Sequence, residues 1–182
     1  VYETILNGTD LIASDNVESV VGNNSLTNGG TYTITLEYKD FLGNDAATDQ
    51  AASFSFTTTP LTATIDPITP NPRNTTVPDL IIRFNRSIKI NSIDLTDFKL
   101  KREQDGISTD ITLSGSIISF SDYAWGSSGT RARNCHVNLT NFTSDEGEYT
   151  FSIITDNNKI SDRNNNKLVY GDSESWVMDL TP

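Results

Sequence analysis

Apolar residues fall on every second position in two closely related stretches of this 182-residue chain. In Gly147-Glu148-Tyr149-Thr150-Phe151-Ser152-Ile153, the residues Tyr149, Phe151 and Ile153 alternate with Thr150 and Ser152. Gly30-Thr31-Tyr32-Thr33-Ile34-Thr35-Leu36 does the same, with Tyr32, Ile34 and Leu36 set against Thr33 and Thr35. A period of two in β-branched and aromatic residues predicts a strand with one buried face. Each stretch opens G-x-Y, which predicts a buried tyrosine ring whose hydroxyl bonds backbone just upstream. Two copies mark a repeat.

The same alternation predicts strands along the whole chain. Val1–Gly8 and Leu11–Ala13 are strand-like and are divided by the turn signal Asn7-Gly8. Val17–Val21 follows, then Tyr32–Tyr38, a loop over Lys39 to Asp45, and a closing strand over Ser53–Thr57. After Thr57-Thr58-Thr59-Pro60, the residues Leu61, Ala63 and Ile65 open a second series. Pro67, Pro70, Pro72 and Pro78 predict an extended, irregular edge, since proline offers no ladder donor. Leu80, Ile82 and Phe84 predict the next strand, Phe98 and Leu100 another, and Asp105-Gly106 a tight turn. Ile111 with Leu113, and Ile118 with Phe120, predict two short strands about Gly115. A loop over Asp122–Asn134 precedes a strand on Cys135, Val137 and Leu139, and Trp176 and Met178 mark the last. No stretch sustains the i, i+3, i+4, i+7 spacing of an amphipathic helix. The expectation is all-β.

Aligning the two copies from their ends pairs Pro60 with Pro182, Phe56 with Met178, Phe54 with Trp176 and Tyr32 with Tyr149. The second copy then carries about five extra residues, placed in Asp156–Asp162. Residues 1–60 read as the C-terminal part of one sandwich and 61–182 as a complete one. A sandwich of this kind uses about seven strands. The first is therefore expected to be completed by residues before Val1 or by another chain.

Composition narrows the function classes. Hydrophobic residues are 35% and charged residues 20%, with Asn, Thr, Ser and Asp filling the difference, as in sheets with one wet face. Thirteen basic residues against 24 acidic ones leave a net charge of −11. No basic stripe is present to neutralise phosphates, which argues against nucleic acid as a partner. No apolar run is long enough for membrane insertion and none reads as a signal peptide. The start at Val1 without Met suggests a mature product or an excised fragment.

Taken together, these residues resemble the immunoglobulin-like repeats of very large secreted bacterial surface proteins. The pattern is a G-x-Y strand, an Asp-led turn ending in Asn, and a closing aromatic strand ending in Thr-Pro. Here it runs through Gly147–Ile153, Asp162–Asn166 and Ser175–Pro182, and earlier through Gly30–Leu36, Asp40–Asn44 and Ser53–Pro60. One departure is Asn165-Asn166 where such repeats have Gly-Asn, a change that still tolerates left-handed backbone. The resemblance implies tandem immunoglobulin-like or fibronectin-III-like Greek-key sandwiches, extracellular or on the cell surface. It specifies fold far better than function.

Candidate chemistry is sparse. Cys135 and His136 are the only residues of their kinds, and neighbours on a strand point to opposite faces, so they cannot form a catalytic dyad. Cys135 reads as a small buried hydrophobe and His136 as exposed. No G-x-S-x-G or H-E-x-x-H motif is present, and no catalytic residue is assigned. Calcium is the one cofactor candidate. Asp162-Arg163-Asn164-Asn165-Asn166 places oxygens at positions one, three and five, but Lys167 and Ser173 stand where an EF-hand loop needs Gly and Glu. A looser oxygen site would draw on Asp156, Asp162 and Asn164, or on Asp40, Asn44 and Asp45, against the plainer reading of loops rich in turn formers. Tyr123 and Trp125 form a candidate aromatic platform for a glycan, against the alternative that they fold over a sheet edge. Sequons at Asn7, Asn23, Asn74, Asn85, Asn138 and Asn141 are expected by chance in so Asn- and Thr-rich a chain.

Two functions remain in view. One is a non-enzymatic structural or adhesin module, a stalk, filament or surface-layer unit whose partners are neighbouring repeats or copies of itself. The other is an accessory carbohydrate-binding region of a secreted hydrolase.

Overall fold

The chain divides into two compact units, Val1–Thr59 and Pro60–Pro182. The computed structural model describes residues 3–7, 11–14, 30–37 and 52–181. The expected strand Val17–Val21 and the loop from Lys39 to Asp45 lie outside them. In the first unit β1 (Glu3–Asn7), β2 (Leu11–Ser14), β3 (Thr31–Glu37) and β4 (Ala52–Thr57) form one antiparallel sheet, ordered β2-β1-β3-β4.

The second unit is a sandwich of two sheets. One holds β5 (Leu61–Ile65), β6 (Leu80–Lys89), β9 (Ile118–Tyr123), β10 (Arg131–Val137) and β12 (Leu168–Tyr170), ordered β12-β5-β6-β10-β9. The other holds β7 (Phe98–Gln104), β8 (Ile107–Ile111), β11 (Gly147–Ile153) and β13 (Ser173–Met178), ordered β13-β11-β7-β8. Their alternating residues meet in one core. Leu61, Ala63, Leu80, Ile82, Cys135 and Val137 face Phe98, Leu100, Tyr149, Phe151, Trp176 and Met178. Among the described residues the only helices are two single 3₁₀ turns, Ile90–Ser92 and Leu95–Asp97.

Tyr149 has the predicted placement. It is buried, its hydroxyl donates to the Asp145 carbonyl at 3.0 Å, and its ring stacks on Trp176 with centroids 5.6 Å apart. Asp105-Gly106 makes the tight turn between β7 and β8, with φ of 53° and 77° at its two residues. The proline-rich segment is likewise an edge. Arg73 bridges Met178 in parallel, and Asn71 donates to the Ser175 carbonyl and accepts from the Val177 N–H, so the segment covers the open side of β13. Its Thr69-Pro70 and Asn71-Pro72 bonds are cis.

Four expectations are corrected. The loop over Asp122–Asn134 is shorter, because β9 runs on to Tyr123 and β10 starts at Arg131. The register of β10 slips between Ala132 and Asn134, so the buried residues Ala132 and Cys135 lie three apart and break the period of two. The alignment of the two copies also shifts. Tyr32 lies opposite Phe56 and Tyr149 opposite Trp176, so Phe56 and not Phe54 occupies the place of Trp176. Finally, His136 is not simply exposed, as described next.

Candidate functional site

Asp162 begins a five-residue turn closed by its own carboxylate. Oδ1 accepts the N–H groups of Asn164 at 2.8 Å and Asn166 at 3.0 Å, and Oδ2 accepts Asn166 Nδ2 at 3.0 Å. Arg86 Nη1 lies 3.4 Å from the same oxygen, and the side chain is buried. This pattern fits the short polar side chain of an Asx turn. Asp156 and Asn164 are exposed. Among the described residues no group of three or more His, Cys, Asp or Glu is placed to hold a metal. Asp40, Asn44 and Asp45 lie outside the described residues. The turn that suggested calcium is held by N–H donors and an arginine.

Tyr123 ends β9, and Trp125 stands in the loop Ala124–Thr130. That loop closes on itself: Ala124 N–H donates to Arg131, Ser127 N–H to Ala124 and Thr130 N–H to Ser127, at 3.0 to 3.1 Å. Left-handed backbone at Gly126, Ser128 and Gly129 lets so short a loop return. Trp125 is 99% exposed and Tyr123 53%, so the indole stands clear of the sheet edge instead of covering it. A fully exposed indole is a flat apolar face available to a ligand.

Sequence reasoning missed a third cluster, on the outer face of the β6-β10-β9 sheet. Ser121 Oγ lies 2.6 Å from His136 Nε2, and His136 Nδ1 lies 2.8 Å from Asp79 Oδ1. An ionised carboxylate only accepts, so Nδ1 carries a proton toward Asp79, and Nε2 and the Ser121 hydroxyl share the other bond. Asn134 Nδ2 adds a bond to Ser121 Oγ at 3.4 Å. The order carboxylate, imidazole, hydroxyl is that of a hydrolytic triad. Ser121 sits in mid-strand on a sheet face, whereas such nucleophiles stand on a sharp turn beside converging N–H donors. The cluster ties Asp79, β10 and β9 together. A signal existed only in the register: Ser121 pairs with Asn134, and Ser119 with His136.

Cys135, on the opposite face, is fully buried, and burial pushes its thiol up to about 12, which leaves it inert at neutral pH. On the same outer face as His136, Arg83 forks onto Asp66 with two bonds of 2.7 Å and holds that carboxyl below its ordinary range. The outer face is therefore a set of satisfied polar pairs. Compared with known proteins, the chain matches no family model, no curated sequence and no solved structure. Function rests on geometry alone.

Proposed function

We propose that the chain is a non-enzymatic structural or adhesive module, built of tandem immunoglobulin-like sandwiches in a large extracellular bacterial protein. The observation that carries this is the shared hairpin of the two units. Thr33 Oγ1 and Ser55 Oγ are 2.8 Å apart in the first, and Thr150 Oγ1 and Ser175 Oγ are 2.8 Å apart in the second. Each pair lies one position beyond the G-x-Y tyrosine, in matching register. The spans differ by only a short insertion, 22 residues against 25. The strand order of the second unit supports the immunoglobulin-like reading. With β5, β6, β7, β9, β10, β11 and β13 as strands A to G, one sheet runs ABED and the other GFC.

On this reading each unit is a rigid block, and only Thr58, Thr59 and Pro60 separate β4 from β5. Such repeats act by length, spacing and the faces they display. Electron microscopy of the chain with and without calcium tests the role. Ordered filaments or layers support it, and monomers under both conditions count against it. A calcium requirement would direct attention to Asp40, Asn44 and Asp45. The enzyme question has its own test. Labelling of Ser121 by a serine-directed fluorophosphonate, lost in Ser121→Ala, would overturn the non-enzymatic reading.

The exposed Trp125 favours a second reading, an accessory carbohydrate-binding region. Binding on a glycan array that Trp125→Ala abolishes would support it.

A further inference from the structure

In a chain with 24 acidic residues, one concavity is lined by cations and by no acid. It is an open hollow of about 560 Å³, formed by Lys89, Ile90 and Asn91 after β6, by Gly129–Arg131, and by Arg163 of the Asp162 turn. That volume lies in the range of small-molecule sites, well above what a single inorganic ion fills. Several other cations of this unit pair with carboxylates: Arg83 with Asp66, Arg102 with Asp145, Lys99 with Asp110 and Lys159 with Asp94. Around the hollow, Lys89 Nζ donates to the neutral amide oxygen of Asn165, and among the described residues neither Arg131 nor Arg163 meets a carboxylate.

A second observation is independent of the hollow. Arg131 and Lys89 are direct partners across the β10–β6 ladder, so two positive charges share one cross-strand site. Like charges placed opposite one another destabilise a sheet. The local frame holds them there firmly. Lys89 N–H donates to Ser161 at 2.8 Å, Ile90 N–H donates to Thr130 at 3.1 Å, and the Asp162 carboxylate locks the turn that carries Arg163. A cross-strand pair of cations on a rim held by backbone hydrogen bonds makes physical sense when an anion neutralises it.

We infer that this hollow binds an acidic saccharide, with a carboxylate or sulfate held by Lys89, Arg131 and Arg163. Arginine forks match planar carboxylates and sulfates, and the Ile90 side chain and the lysine and arginine stems give the apolar floor that a sugar ring needs. The loop that supplies Gly129 and Thr130 also presents Trp125 to solvent. The site does not depend on whether the chain forms filaments or layers.

Titration calorimetry of the intact chain tests the assignment with four probes: an oligogalacturonate, a sulfated oligosaccharide, a neutral oligosaccharide of equal length, and inorganic phosphate. The acidic sugars bind and the neutral one does not. Affinity falls as salt rises from about 0.05 to 0.2 M, as charge recognition requires. Arg163→Gln and Arg131→Gln each weaken binding about tenfold or more, the loss expected for one charge-assisted contact. Without ligand, Arg131→Gln melts no lower than the parent, because it removes a repulsion, so lost binding is not lost folding. Equal binding of the neutral sugar, acidic binding that survives both substitutions, or no binding at all overturns the site. Phosphate binding as tightly as either acidic sugar overturns the saccharide assignment.

Discussion

Tyr149 and His136 each join elements that are distant in sequence, but on opposite sides of the sandwich wall. The tyrosine ring lies in the core against Trp176, and its single polar atom has a single backbone partner. The imidazole lies on the outer face between Ser121 and Asp79 with 22% of its side chain exposed, and it contributes direction more than buried area. The contrast separates what builds this fold from what decorates it. Apolar burial gives about 25 cal/mol per Å², while an intramolecular hydrogen bond nets about 1 kcal/mol because water competes for both partners. The tyrosine corner, meaning Tyr149 with its ring against Trp176 and its hydroxyl on the Asp145 carbonyl, should therefore dominate stability, and the outer cluster should matter chiefly for local order.

Removing the stacking partner should give the largest effect. Trp176→Ala is expected to destabilise the second unit by about 3–5 kcal/mol in urea unfolding, the usual cost of deleting a fully buried large aromatic. Trp176→Phe sharpens the point. The indole Nε1 is buried without a partner among the described residues, and leaving such a donor unpaired costs about 1–3 kcal/mol. Phenylalanine removes that donor, so its cost should be less than half that of alanine.

The entry to the corner is next. Gly147 has φ of 139°, and a Cβ there would sit 2.7 Å from the Glu103 carbonyl oxygen, which the β7 ladder holds in place. Gly147→Ala is expected to cost about 2–3 kcal/mol from backbone strain and that contact. An unchanged midpoint would mean that G-x-Y is sequence habit and not a geometric requirement.

Two milder substitutions compare the regions directly. Tyr149→Phe keeps the ring and loses the hydroxyl's bond to Asp145 together with its contact to Arg102, for about 1 kcal/mol. His136→Ala loses two bonds on the outer face, where water reaches the half-exposed Asp79, and should cost no more than about 1 kcal/mol. A double-mutant cycle between Asp79→Asn and Ser121→Ala should show coupling with His136 present and none in the His136→Ala background. Coupling that persists without the imidazole would break the view of the cluster as one relay.

The same contrast explains what the sequence could disclose. Inner-face residues announce themselves because burial forces a period of two, so Leu61, Leu80, Cys135, Phe151 and Trp176 were legible as core. The corner was legible because a glycine and a tyrosine at fixed spacing carry it. Where the period slips at the Ala132–Asn134 bulge, half of β10 read as loop. The three-residue β12, which joins β5 in parallel, gave no pattern long enough to detect. The relay and the cationic hollow depend on register between strands, which alternation along one strand does not contain. The Asp162 turn was found for its oxygens, but the Asp162 carboxylate is committed to N–H donors of the turn itself.

The smallest expected effects concern charge, and they have opposite signs at the two ends of the pH scale. Burial holds the Cys135 thiol up at about 12, against about 8.5 for a free thiol. A raised folded value stabilises fully below about 8.5, and that contribution fades as pH climbs toward 12. Alkaline melting should therefore steepen across that window in the parent and less so in Cys135→Ala. At the acid end, hydrogen bonds from Lys159 and Thr96 hold the Asp94 carboxyl down at about 2. A lowered folded value stabilises above about 3.9, the ordinary aspartate value, and the benefit is lost as pH falls toward 2. Asp94→Asn isolates this, because asparagine caps the Leu95–Asp97 turn as well as aspartate does while carrying no charge. Because Asp94 is largely solvated, the drop in melting temperature between pH 5 and pH 2 should narrow by only a degree or two. A drop as large as in the parent would place the acid sensitivity elsewhere, with Asp66 beneath the Arg83 fork as the next carboxylate to neutralise.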